Sequence, residues 1–94
     1  MKQFIIIFEF ANTTDPKIIP FKDMIRAYQK FAFITNNTCV IWTESTAVLI
    51  RDYLKTGIGP NDKLFVADIS APAAWTNSVN KQVSEYIIKN LKDI

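Results

Sequence analysis

The chain of 94 residues contains no histidine, one cysteine and two glycines. Without histidine, Ser-His and Cys-His catalysis and every imidazole-ligated metal site are excluded. One cysteine forms neither an intrachain disulfide nor a thiolate metal cluster. That residue, Cys39, lies in the apolar run Cys39-Val40-Ile41-Trp42 and reads as a buried thiol. With two glycines, most of the chain is free to form regular elements, and no Gly-rich phosphate loop exists. Gly57-Ile58-Gly59 follows a helical stretch rather than opening one, so it is not a nucleotide fingerprint.

Long apolar runs are also missing. The longest near the start, Phe4 to Phe8, is too short for a signal-peptide core, and no segment approaches the roughly 20 residues of a membrane span. The expectation is a cytoplasmic protein with no membrane partner. A net charge of +2 does not by itself demand nucleic acid. What is present is ordinary globular composition, 49% hydrophobic and 21% charged, in a length that suits one domain over residues 1–94. Such a chain buries roughly 65% of its unfolded surface, which leaves little to spare and makes a partner subunit useful.

Lys2 to Phe10 reads as a strand rich in Phe and Ile. Phe4, Ile6, Phe8 and Phe10 share one face, and Ile5 and Ile7 lie on the other. Apolar residues on both faces predict a central strand covered on each side, the second cover coming from another element or another chain. Asp15-Pro16 or Ile19-Pro20 opens a helix, with Phe21, Met24, Ile25, Tyr28 and Ala32 on its apolar side. Ala32–Thr35 and Thr38–Thr43 form a hairpin about Asn36-Asn37, since asparagine tolerates positive φ.

Ser45 or Thr46 caps a second helix whose core side is Leu49, Ile50, Tyr53 and Leu54. Gly57 fits the C′ position that ends it. After the turn Gly59-Pro60-Asn61-Asp62, Lys63 to Ser70 reads as a strand. Ala71 to Trp75 is a loop, and Asn77 or Ser78 opens a last helix with the stripe Val79, Val83, Tyr86, Ile87 and Leu91. The order β-α-β-β-α-β-α closes most naturally as an α+β ferredoxin-like βαββαβ plait with an additional C-terminal helix. In this reading the first and third strands are parallel neighbours at the centre of the sheet.

That arrangement brings Glu9, Glu44 and Asp62 to one rim, where three carboxylates hold Mg²⁺ or Mn²⁺ and Glu9 serves a metal-dependent nuclease. The plain alternative is three solvated acids at loop ends. Lys22, Arg26 and Lys30 repeat every four residues along the first helix, a candidate track for a phosphate backbone or a solvated stripe with Asp23 nearby. Trp75 either lines a ligand pocket or anchors the last helix, and Trp42 belongs to the core or a dimer interface.

The segments Asn37-Thr38-Cys39-Val40-Ile41-Trp42-Thr43, Ile50-Arg51-Asp52-Tyr53-Leu54-Lys55, Asn61-Asp62-Lys63-Leu64-Phe65-Val66 and Ala73-Ala74-Trp75 resemble the small SinR-like proteins. Those are relatives of the ferredoxin-like CRISPR-associated proteins of spacer acquisition. The resemblance spans about residues 37 to 91 and carries no catalytic motif. It implies a ferredoxin-like fold, homodimerisation and a link to phage defence or mobile elements. Where the CRISPR-associated relatives carry a first-strand aspartate assigned to metal-dependent nuclease action, this chain has Glu9, whose arm is one methylene longer. The relatives end in a further strand where a helix is expected here, so their dimer contact does not transfer directly.

The leading expectation is therefore a non-catalytic, homodimeric binding or scaffolding module that contacts nucleic acid or a defence-system protein and needs no cofactor. The rival readings are the Glu9 nuclease with Mg²⁺ or Mn²⁺ and a phage-encoded inhibitor of a host nuclease complex.

Overall fold

A computed structural model of the chain describes residues 1–69 and Glu85. The expected loop at Ala71–Trp75, the helix opened at Asn77 or Ser78 and the anchoring role of Trp75 lie outside these residues. Four strands, β1 (Lys2–Glu9), β2 (Lys30–Thr35), β3 (Thr38–Thr43) and β4 (Lys63–Asp68), form one sheet in the order β2-β3-β1-β4. Helices α1 (Ile18–Arg26) and α2 (Ala47–Leu54) complete an α+β fold compatible with a ferredoxin-like architecture. No helix among the described residues is long and apolar enough to cross a membrane.

β1 is central, as expected, but its second face is not covered throughout, since Ile7 is exposed. It is antiparallel to both neighbours, with Ile6 opposite Cys39 in β3 and Val66 in β4. The expected parallel pairing of the first and third strands is thus corrected. A crossover through α1 returns the chain parallel to β1, and the hairpin then reverses it, so β3 must run against β1.

Alternation along the strands divides the apolar residues between two faces. Phe4, Ile6, Phe8, Cys39 and Ile41 are buried against Phe21 and Ile25 of α1 and Ile50 and Leu54 of α2. The rings of Phe8 and Phe21 meet edge to face at 4.9 Å between centroids, a favoured aromatic geometry. On the other face Ala32, Val40 and Trp42 form a second cluster with Ile34 and Ile69. There the Trp42 Nε1–H donates to Gln3 Oε1 at 3.2 Å, a hydrogen bond between two buried side chains.

The helices are shorter than their patterns suggest. α1 begins at Ile18, with Pro20 in its first turn, and ends at Arg26. Ala32 therefore belongs to β2, where it joins the Trp42 cluster rather than the helix stripe. Thr46 caps α2, its hydroxyl accepting from the Leu49 N–H at 3.2 Å. Ile50 and Leu54, one turn apart, point into the core, whereas Leu49 and Tyr53 are exposed. Their expected core role is corrected, because an eight-residue helix lying on a sheet buries only a narrow stripe.

A 3₁₀ turn, Lys55–Gly57, follows α2. Gly57 does not adopt the left-handed conformation of a C′ glycine. It is small because α1 passes close by: a Cβ on it would stand 2.6 Å from Met24 Sδ and 3.2 Å from Phe21 Cδ1.

Candidate functional site

The expected carboxylate rim is divided between the two ends of the sheet. β1 ends at Glu9, beside the start of β4, and Glu9 Oε1 lies 3.6 Å from Lys63 Nζ. Asp62 shares that end but is engaged in holding loops together. Its Oδ1 accepts from the Ala11 N–H at 2.9 Å and its Oδ2 from the Gly59 N–H at 2.8 Å. These two bonds, helped by the charge of Lys17, hold its carboxyl below the ordinary aspartate range.

Glu44 follows β3, which runs the other way, and lies 3.2 Å from the Met1 amino group at the opposite end. Placing Glu9, Glu44 and Asp62 together depended on a parallel β1–β3 pair, and the antiparallel ladder removes that basis. Among the described residues no group of three metal-ligating side chains comes together. The donor set does not fit Mg²⁺ or Mn²⁺, which favour several convergent oxygens.

Cys39 is fully buried, and burial pushes its thiol up to about 12. A thiol kept protonated has no nucleophilic role at neutral pH.

The basic track is also rearranged. Lys22 and Arg26 lie one turn apart on α1 and both stand over the Phe33 ring, the ammonium at 5.9 Å and the guanidinium carbon at 5.2 Å from its centroid. Arg26 also bonds Asp23 at 3.0 Å. Lys30 does not continue the row, since α1 has ended and Lys30 opens β2 opposite Trp42. By strand alternation its side chain belongs to the Trp42 face, across the sheet from Lys22 and Arg26.

Lys22 also borders a cleft of about 360 Å³. Its other lining residues are the apolar Phe8, Phe10 and Ile18 and the polar Thr13, Asn36 and Asn37. The hairpin tip is fixed against β1, because the Phe8 N–H donates to the Asn37 carbonyl at 2.9 Å. Asn37 N–H in turn donates to Thr35 Oγ1 at 3.1 Å. Its backbone thus holds Asn37 in place, and among the described residues the carboxamides of Asn36 and Asn37 make no hydrogen bonds.

Sequence reasoning missed this assembly. Asn36-Asn37 was legible only as a turn and Phe33 only as a strand residue. Nothing in their spacing marks the approach of Lys22 and Arg26 from a separate helix.

Comparison with known families, curated proteins and solved structures returns no match.

Proposed function

We propose that this chain is a non-catalytic binding module that works as a homodimer and contacts nucleic acid through Lys22 and Arg26. The observation that carries the reading is the placement of both cations over Phe33. One patch thereby combines positive charge with an aromatic ring, the chemistry that takes hold of phosphates and bases. The Glu9 nuclease reading has weaker support, because Glu44 sits at the far end of the sheet and Asp62 is occupied by two backbone amides.

The dimer is supported by the open end of the second sheet face, where Ile7 and Phe65 are exposed. A domain this small gains stability by covering such surface. Strand order β2-β3-β1-β4 supports the finer reading of a ferredoxin-like plait. The stripe Val79, Val83, Tyr86, Ile87 and Leu91 supports an added helix. Trp42, only 3% exposed on the face away from α1 and α2, is consistent with a cover at that end. The link to phage defence or mobile elements rests on the SinR-like resemblance alone.

The test is equilibrium binding of fluorescent DNA and RNA at low and rising salt. Binding should weaken as salt rises and fall sharply in Lys22→Glu/Arg26→Glu. Lys30→Glu, on the other face, should change it less. No binding of any nucleic acid at low salt defeats the reading.

A further inference from the structure

Resting on that reading, we infer that the preferred ligand is a single-stranded nucleic acid and that the cleft between the Asn36-Asn37 turn and α1 receives one of its bases. The argument starts from what surrounds Lys22. On one side lies the Phe33 ring, shared with Arg26. On the other lies the cleft of about 360 Å³, near the small end of the range for ligand sites. A duplex keeps its bases stacked inside and presents no free ring to such a cleft. A single strand can turn one base out while its phosphates remain on the cations.

The lining matches that occupant. Phe8, Phe10 and Ile18 give the lining its apolar part, against which a planar ring can pack. The carboxamides of Asn36 and Asn37 and the hydroxyl of Thr13 supply both donors and acceptors at its edge. Lys22 stands where cleft and surface meet, and among the described residues no carboxylate neutralises it. Arg26, one helical turn further on, extends the charge over Phe33. The arrangement therefore combines phosphate contacts on the cations with a ring-sized recess of mixed apolar and polar lining beside the hairpin tip. The base edge is read by two adjacent asparagines, Asn37 held through its own backbone hydrogen bonds, so preference among bases should reside there rather than in the cations.

The experiment compares three labelled probes of equal length by fluorescence anisotropy at low salt: a single-stranded oligonucleotide, its duplex, and a strand of abasic sugar-phosphate units. The single strand should bind tighter than the abasic strand by roughly tenfold, the scale of one stacked base. It should also bind tighter than the duplex. Asn37→Ala and Thr13→Val should lessen the single-strand advantage and level the preference among homopolymer strands. Lys22→Gln should weaken all three probes and reduce the salt slope for the strand by about 0.7, one phosphate contact.

If the cations govern binding but abasic and normal strands bind equally, or the duplex binds best, the base-in-cleft inference is overturned and the nucleic-acid reading survives. If no probe binds, both fall. Circular dichroism of each variant shows whether a loss of binding reflects a loss of fold.

Discussion

Ile7 stands directly opposite Phe65 in the β1–β4 ladder, and both side chains lie open to solvent, at 42% and 58% exposure. The pair belongs to the sheet face that carries Trp42, yet it lies toward the end marked by Glu9 and Lys63. A central strand rarely leaves an aliphatic side chain so bare, and the proposed homodimer covers it. Phe65→Glu should raise the dimer dissociation constant about tenfold or more, read by sedimentation velocity over a concentration series. The variant's thermal midpoint should fall only as far as dimerisation contributes to it. A wild-type chain that remains monomeric at high concentration would sink the dimer.

Asp62 ties the segment after β1 to the turn before β4 through Ala11 and Gly59. Its folded-state pKa is lowered by those bonds, so the ionised form stabilises the native state. That stability is present above the ordinary aspartate value, near 3.9, and is lost as pH falls through the depressed folded value. Asp62→Asn replaces one accepting oxygen with a donor and faces it toward an N–H. The variant should be less stable at neutral pH, and the difference from wild type should shrink at strongly acidic pH. Urea titrations at several pH values measure both effects.

Cys39 titrates in the opposite sense. Its pKa is raised to about 12 because burial disfavours the thiolate. The resulting stabilisation is complete below the ordinary thiol value and is lost as pH rises through the folded one. Stability should decline from about pH 9 upward, and Cys39→Ala should flatten that limb while lowering stability throughout. In the native protein the thiol should resist alkylating reagents, with labelling limited by unfolding. Fast stoichiometric labelling of folded protein would contradict the burial of this side chain.

Gly57 packs against α1 where a methyl group has no room beside Met24 and Phe21. Gly57→Ala should cost about 1–3 kcal/mol by overpacking, measured by chemical denaturation. Met24 is flexible and only partly buried, so much of the clash is relieved if it moves. Phe21 is fully buried and cannot follow. The double variant Gly57→Ala/Met24→Ala should therefore lose less than the sum of the two single changes.

The Gln3–Trp42 bond joins β1 to β3 on the second face. Gln3→Met keeps the volume but removes this hydrogen bond between two buried side chains, and should cost about 1 kcal/mol. Equal stability of wild type and variant would show that this bond contributes nothing net.

Much of the fold was legible because alternation along a strand is written directly in residue order. Phe4, Ile6, Phe8 and Phe10 announce a buried face, and Asn36-Asn37 announces the reversal between β2 and β3. Direction is another matter. Whether β3 runs with or against β1 depends on the path through α1 and the hairpin together, and a parallel assignment puts Glu44 at the wrong end of the sheet. Side-chain exposure on a short helix is equally hard to read. Leu49 and Tyr53 are as apolar as Ile50 and Leu54, and only the position of the sheet beneath α2 separates them. The candidate cleft was least legible of all, since it joins Thr13, Lys22 and Asn37 from three separate stretches of chain.

β1 precedes both of its ladder partners, and β4 lies more than fifty residues downstream of it. A growing polypeptide therefore carries Phe4 to Phe10 out of the ribosome long before Lys63 to Asp68 exist to flank them. Pairing with β3 becomes possible first, leaving one edge of a very greasy strand unsatisfied until the rest is translated. Slow codons or truncation before β4 would prolong that interval, when mispairing with another nascent copy competes with correct closure.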